Sequence, residues 1–359
     1  GDIASWCAAN GLEVSIQDRD MKFIQPALDR ARAFFDKRFK NDSKKSEVLS
    51  RLEPDVEGTH VSHSDIVIEA IFENVAAKKE LYRKLESQLQ PDAIIATNTS
   101  SIVLEILATE LQDPGRFIGL HFFNPVSRMP LVEIIHSEQT RAEVVQRSIN
   151  FARQIDKLPV PCRSAPGFVV NRILMPYLNE AMRAVDEGVP LALLDKIACD
   201  FGMPMGPIEL ADVIGLDVCL HVGAILAQAY SRPQANIIKQ LVEQKKLGKK
   251  SGEGFYVWKD GKPIKPPVKN HPIPPHLQDR LILSMVNESM AVLREQVVSD
   301  SDLLDAAVIF GTGFAPFRGG PLQYARSVGT AKIKESLEQL AIHHGAHFKP
   351  DSGWDNANW

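Results

Sequence analysis

Through about the first 160 residues, short β-rich apolar runs alternate with stretches whose apolar residues recur at helical spacing, a pattern few folds accept. Glu13–Gln17, Asp65–Ala70, Ala93–Thr97 and Arg116–Leu120 read as strands; Asn74–Leu89 and Ile102–Leu111 read as helices. Strands apolar along both faces and separated by helices need cover on two sides, which predicts a largely parallel, Rossmann-like α/β sheet. Leu131–Ile135 and Leu158–Pro161 extend it. Beyond Ala165-Pro-Gly-Phe168 the character changes to long amphipathic stretches, Asn171–Glu187 and Asp212–Tyr230, with Pro166-Gly167 as the boundary. The proline-rich run Lys262–Pro275 reads as a semi-rigid linker.

The two parts of this all-α region repeat each other weakly. Asn179-Glu-Ala-Met182 answers Asn287-Glu-Ser-Met290, Leu194-Asp195 answers Leu304-Asp305, and Gly206-Pro207 answers Gly320-Pro321. Matches in a common order point to two tandem, weakly similar helical domains. Expected boundaries are therefore 1–165 for the α/β domain, 166–262 for the first helical copy and 263–359 for a degenerate second copy. The second has Asp279 where the first has Asn171, so a site role is expected only of the first.

With 44% hydrophobic and 24% charged residues, the chain can build cores of this size, and a net charge of −4 gives no basic excess for nucleic acid. No run of about 18 apolar residues predicts a transmembrane segment. Cys7, Cys162, Cys199 and Cys219 lack metal-ligand spacing and read as buried thiols of a reducing compartment. His343, His344 and His347 lack an evident cysteine or carboxylate partner, so no metal is expected and they read as a surface tail. Lys37, Arg38, Lys40, Lys44 and Lys45 read mainly as a solvated helix end.

Several residues carry chemistry. Asp18 closes the strand Val14-Ser-Ile-Gln, where a carboxylate accepts hydrogen bonds from an adenine ribose and favours NAD over NADP; a strand-end turn residue is the plainer alternative. The Gly-rich turn belongs about 18 residues earlier, so Gly1 is its last glycine or the residue after it. The first strand and most of the Gly-rich phosphate loop are then missing from these residues, an absence expected to leave open sheet edges. Ala96–Ser101 is a strand running into a polar loop, suited to ligand contact or to capping the next helix. The strongest local signal is His121-Phe-Phe-Asn-Pro-Val126 followed by Pro130-Leu-Val-Glu-Ile-Ile135. A carboxylate inside that apolar strand is costly to bury alone, and His121 on the neighbouring strand end is a natural partner for Glu133. Such a pair orients an imidazole and fixes its tautomer for general-base work. A structural histidine with an unrelated glutamate is the alternative.

Together, His121-Phe-Phe-Asn-Pro, Asn98-Thr-Ser-Ser101 and Glu133 resemble the 3-hydroxyacyl-CoA dehydrogenase family. So do Ala165–Arg172, Gly206–Asp212 with Ile214-Gly-Leu-Asp217, and Leu247–Tyr256, in family order over essentially the whole chain. The duplicated helical region is most similar to the dehydrogenase part of the multifunctional fatty-acid oxidation complex α-subunit. That resemblance implies NAD-dependent oxidation of L-3-hydroxyacyl-CoA to 3-ketoacyl-CoA, with His121 as general base and Glu133 as its partner. Ser100 and Asn171 match positions on the substrate oxygen, and Asn124 one near the nicotinamide and substrate. Asp18, Gly1, Glu73, Lys78, Asn98, Ser100 and Lys250 match cofactor-contacting positions. The family also receives the CoA 3′-phosphate near the basic stretch.

As partners the resemblance implies an acyl-CoA substrate, an enoyl-CoA hydratase domain preceding residue 1 and a thiolase subunit. A bacterial cytoplasmic location, or a mitochondrial or peroxisomal matrix in a eukaryote, goes with it. A stand-alone 3-hydroxybutyryl-CoA dehydrogenase would have the same chemistry without the tandem repeat, and the β-hydroxyacid dehydrogenases rely on a lysine instead. A different class, a non-catalytic acyl-CoA-binding or scaffold fragment, follows if the nucleotide loop is truly absent.

Overall fold

The computed structural model describes residues 1–268, 271–356 and 359, so the Lys269-Asn270 portion of the expected linker lies outside the described residues. The chain divides into two compact units, Gly1–Ser164 and Ala165–Trp359.

The first unit is α/β. In chain order it comprises α1 (Asp2–Ala9), β1 (Val14–Ile16), α2 (Met21–Arg38), α3 (Asp42–Leu49), β2 (Leu52–Pro54), β3 (Ile66–Glu69), α4 (Val75–Glu86), β4 (Ile94–Thr97), α5 (Leu104–Leu107), β5 (Phe117–Phe122), β6 (Leu131–His136), α6 (Ala142–Gln154) and β7 (Leu158–Arg163). Five strands form one mixed sheet in the order β3-β4-β5-β6-β7, with β5 and β6 antiparallel and the other neighbours parallel. Every residue of β4 and β5 is buried, as strands covered on both faces require. Polar side chains start several helices: Asp20 accepts from Lys22 N at α2, and Asn74 from Ala77 N at α4.

Parallel pairing of β1 with β2 makes a separate two-stranded sheet, in which Val14–Ile16 are only half-buried. No described strand lies between β1 and β3, the place a central first strand takes in a doubly wound sheet. The three-residue β2 carries one buried side chain, Leu52, too little alternation to stand out in sequence. The helix expected over Ile102–Leu111 contracts to α5 and a 3₁₀ turn at Ala108–Glu110.

The second unit is helical: α7 (Val170–Asp186), α8 (Leu191–Phe201), α9 (Pro207–Ile214), α10 (Leu216–Tyr230), α11 (Ile237–Glu243), then after a small hairpin α12 (Leu277–Arg294), α13 (Ser301–Thr312), α14 (Pro321–Val328) and α15 (Thr330–His344). The single helix expected over Asp212–Tyr230 is two, bent by 101° at Gly215, whose φ of +106° no helix interior accepts. No single helix among the described residues is long and apolar enough to cross a membrane.

The expected linker corrects as well. Its first residues form β9 (Lys262–Ile264), paired antiparallel to β8 (Val257–Lys259). The connecting Asp260-Gly261 has φ of +52° and +75°, the two-residue hairpin turn that an Asp-Gly pair favours.

Reciprocal ion pairs join the two helical halves. Arg172 Nε donates to Glu288 at 2.6 Å and Arg280 Nε to Glu180 at 2.9 Å, while Arg172 also reaches Glu295 and Arg280 also reaches Glu187. Each partner sits 108 positions from its counterpart (280 − 172, 288 − 180, 295 − 187). Asn179 accepts from Ala235 N and Asn287 from Asp351 N, the two asparagines themselves lying at that offset. His347 is not on a surface tail: its Nε2 lies 2.9 Å from the buried Glu180 carboxylate, a partner too distant in sequence to be seen there. Cys7, Cys162 and Cys219 are buried free thiols, whereas Cys199, in the last turn of α8, is exposed.

Candidate active site

Carboxyl ends of β3, β4 and β5 assemble the polar residues of the first unit. His121 is the fifth residue of β5 and stands directly across from Glu133 in the antiparallel ladder to β6. Opposed residues on neighbouring strands share a face, so sheet register alone brings the two side chains together. The Nδ1 of His121 lies 2.6 Å from Oε2 of Glu133, with the residues 4% and 0% exposed. A carboxylate beside Nδ1 favours the tautomer that carries its proton on that nitrogen. The Phe123 ring packs 4.5 Å from the imidazole. Cys162 on β7 is no nucleophile here, because burial and then the Glu133 charge push its thiol well above the ordinary range.

The loop after β4 lies beside this pair. Asn98 Oδ1 accepts from Phe122 N at 3.0 Å, tying the loop to the residue after His121. Ser100 is half-buried and its backbone N donates to Glu73 at 3.0 Å, while Thr99 Oγ1 donates to the same carboxylate oxygen at 2.5 Å. Lys78 is 1% exposed and its Nζ bonds Glu69 at 2.7 Å and pairs with Glu73 at 3.3 Å, so it reaches any ligand only through Glu73.

Sequence reasoning missed the hub of this network. Glu69 is buried and accepts from Lys78, Ile71 N, Tyr82 Oη at 2.6 Å and Thr97 Oγ1 at 2.8 Å. The signal that found Glu133, a carboxylate inside an apolar strand, was also present in Ile66-Val-Ile-Glu69. Burial and the Glu69 charge keep the Tyr82 phenol protonated far beyond its usual range.

Elsewhere in this unit, Asp18 is exposed just past β1 and accepts from Arg19 N at 2.8 Å. Gly1 caps α1, and a Cβ there would meet Ala27 Cβ at 2.9 Å, a close helix approach of the kind the third glycine of a dinucleotide turn permits. Asn124 is exposed in the loop after β5. In the basic stretch, Lys44 and Lys45 pair with nearby carboxylates and Arg38 stacks on Trp6. Of the second-unit residues, Asn171 is half-buried in the first turn of α7, and Lys250 pairs with Asp217 at 2.5 Å. Among the described residues no cluster of three or more His, Cys, Asp or Glu side chains has metal-site geometry.

Residues 1–165 match the family model described as 3-hydroxyacyl-CoA dehydrogenase, NAD binding domain, and residues 167–258 match its C-terminal domain. The chain belongs to the 3-hydroxyacyl-CoA dehydrogenase family. Members of this dehydrogenase family are oxidoreductases acting on CH–OH groups. A fatty acid oxidation complex subunit alpha from Psychrobacter cryohalolentis is 34% identical over 99% of this chain, which spans 53% of that relative's length. The 3-hydroxybutyryl-CoA dehydrogenase of Escherichia coli superposes with a TM-score of 0.86 at 26% identity, over 99% of this chain and 94% of that one. The dehydrogenase part of multifunctional enzyme 1 from C. elegans gives 0.71 at 27%, over 99% and 86%.

Proposed function

We propose that this chain oxidises L-3-hydroxyacyl-CoA to 3-ketoacyl-CoA in fatty-acid β-oxidation, with His121 as general base. The observation that carries this reading is the buried 2.6 Å contact of His121 Nδ1 with Glu133 at the carboxyl end of β5. A dinucleotide needs a carboxylate for its ribose and polar groups along the strand ends; exposed Asp18 and Glu73 and half-buried Asn98, with Gly1 opening α1, are a donor set of that kind. When bound, NAD supplies the hydride acceptor.

His121 Nε2 takes the proton of the substrate 3-hydroxyl, and Glu133 stabilises the imidazolium that results. Ser100 and Asn171 donate to the substrate oxygen, where charge develops. Asn124 is assigned to the nicotinamide end of the substrate and Lys250 to the cofactor, while Lys78 holds Glu73 in place. Residues 263–359 are a second, degenerate helical copy, and the reciprocal pairs at a constant offset support that reading. The proposal extends to an enoyl-CoA hydratase domain in the parent chain, a thiolase subunit and a bacterial cytoplasmic location, and likeness to a fatty acid oxidation complex subunit alpha supports it.

NADH binding followed by fluorescence, then reduction of acetoacetyl-CoA, tests the assignment. The variant His121→Gln is expected to lower turnover by about 10²–10⁴-fold with NADH affinity preserved. Near-normal turnover in that variant would sink the role of His121. A folded wild type that does not bind NADH would instead favour a non-catalytic acyl-CoA-binding fragment.

A further inference from the structure

Lys157, the residue before β7, is 6% exposed, and its ammonium is held by backbone carbonyls. Its Nζ donates to Val126 O at 2.5 Å and Met129 O at 2.7 Å, and lies 4.0 Å from the ring centroid of Trp6. An ammonium buried against two carbonyls and an indole face costs more than a methionine of similar shape would. Burial draws its pKa down to about 8, as expected of a charge held against desolvation.

What that charge holds is the loop 123–130, which leaves β5 two residues after His121 and enters β6 two residues before Glu133. The loop turns tightly on itself, with Arg128 N and Met129 N both donating to Pro125 O. The carbonyls of Val126 and Met129 then point inward to Lys157, and Pro130 O accepts from Leu158 N. Trp6 Nε1 donates to Ile155 O at 2.7 Å, so the ring beneath the ammonium is itself fixed. Asn124 lies in the same loop, one residue before that turn.

We infer that Lys157 is a positioning residue: its buried ammonium pins loop 123–130 and thereby holds Asn124 where hydride transfer needs it. This rests on the proposed dehydrogenase reading and on the part Asn124 plays in it. Misplacing a group beside the reacting atoms by about 1 Å costs on the order of 10²-fold, so the effect belongs in kcat rather than in acyl-CoA binding.

The test is a double-mutant cycle in the full chain with Lys157→Met and Asn124→Ala, read by kcat, KM and the isotope effect from substrate deuterated at C3. Lys157→Met is expected to melt near the wild type, to lose about 10–100-fold in kcat with KM little changed, and to raise the isotope effect. In the Asn124→Ala background it is expected to add little, because both changes remove one arrangement. Unchanged kcat in Lys157→Met, or losses that multiply in the double variant, overturns the inference while leaving the dehydrogenase reading intact. Wild-type turnover in Asn124→Ala removes the assigned role of Asn124 and the inference with it. Should the methionine variant not fold, Lys157→Gln, too short and uncharged to hold both carbonyls, is read by the same two criteria.

Discussion

Substituting Glu133→Gln isolates the electrostatic half of the His121–Glu133 pair. The carboxylate has no exposed surface and its Oε2 lies 2.6 Å from Nδ1, so an amide of the same shape can still accept one hydrogen bond. What it cannot do is stabilise a charged ring. Opposite charges with centres about 4 Å apart attract by about 4 kcal/mol at an effective dielectric of about 20. That corresponds to about three decades in rate if the imidazolium is fully formed at the transition state. With the hydrogen bond retained, kcat is expected to fall by about 10²–10³-fold. Initial rates of NADH formation at saturating NAD and acyl-CoA measure it, with melting temperature and NADH affinity as controls. A folded variant with kcat within about threefold of the wild type would mean that no charge forms on His121 during turnover.

Two further expectations concern the helical unit. Burial opposes the charge on Glu180, but His347, Arg183 and Arg280 outweigh it and hold its pKa at about 2. A depressed carboxylate adds stability above its unfolded pKa and loses it as pH falls towards the folded one, here roughly 3 kcal/mol at most between about pH 4 and 2. Acid titration followed by circular dichroism should therefore be flatter for Glu180→Gln than for the wild type, from a lower neutral starting point; parallel curves would refute this. At Gly206 a Cβ would come 2.2 Å from Asp195 Cα, so Gly206→Ala should cost about 1–3 kcal/mol in urea titrations, and unchanged stability would show that α9 can move away.

Much of the first unit was legible because strands buried on both faces leave long apolar runs. Those runs placed β3 to β7 within a residue or two, and Leu-Val-Glu-Ile-Ile advertised a carboxylate that needed a partner. The partner was legible too, because one register decides both side chains. The rest was hidden for identifiable reasons. Glu69 carried the same signal as Glu133, but no histidine stood opposite it, and only folding brings Tyr82 and Thr97 to it. Lys157 sits in a polar stretch, Gln-Ile-Asp-Lys, and its carbonyl partners are about 30 residues away, with no side-chain signature of their own. Lys78 carried an expected ligand role by motif, yet its burial follows from helix α4 presenting it to Glu69, a matter of packing. The Asp260-Gly261 turn went unread beside the prolines that follow it.

The reciprocal arginine–glutamate pairs bear on how such a molecule can change. Where two identical subunits meet about a twofold axis, every substitution arrives twice, and an alteration useful on one side is imposed on the other. Here Arg172 and Arg280 are encoded separately, as are Glu180 and Glu288, although they meet in matching fashion. Selection can therefore revise one member of each set and leave its twin untouched. The asparagine at 171 against the aspartate at 279 is such a divergence. One half is free to specialise while the other retains the shape that specialisation leans on.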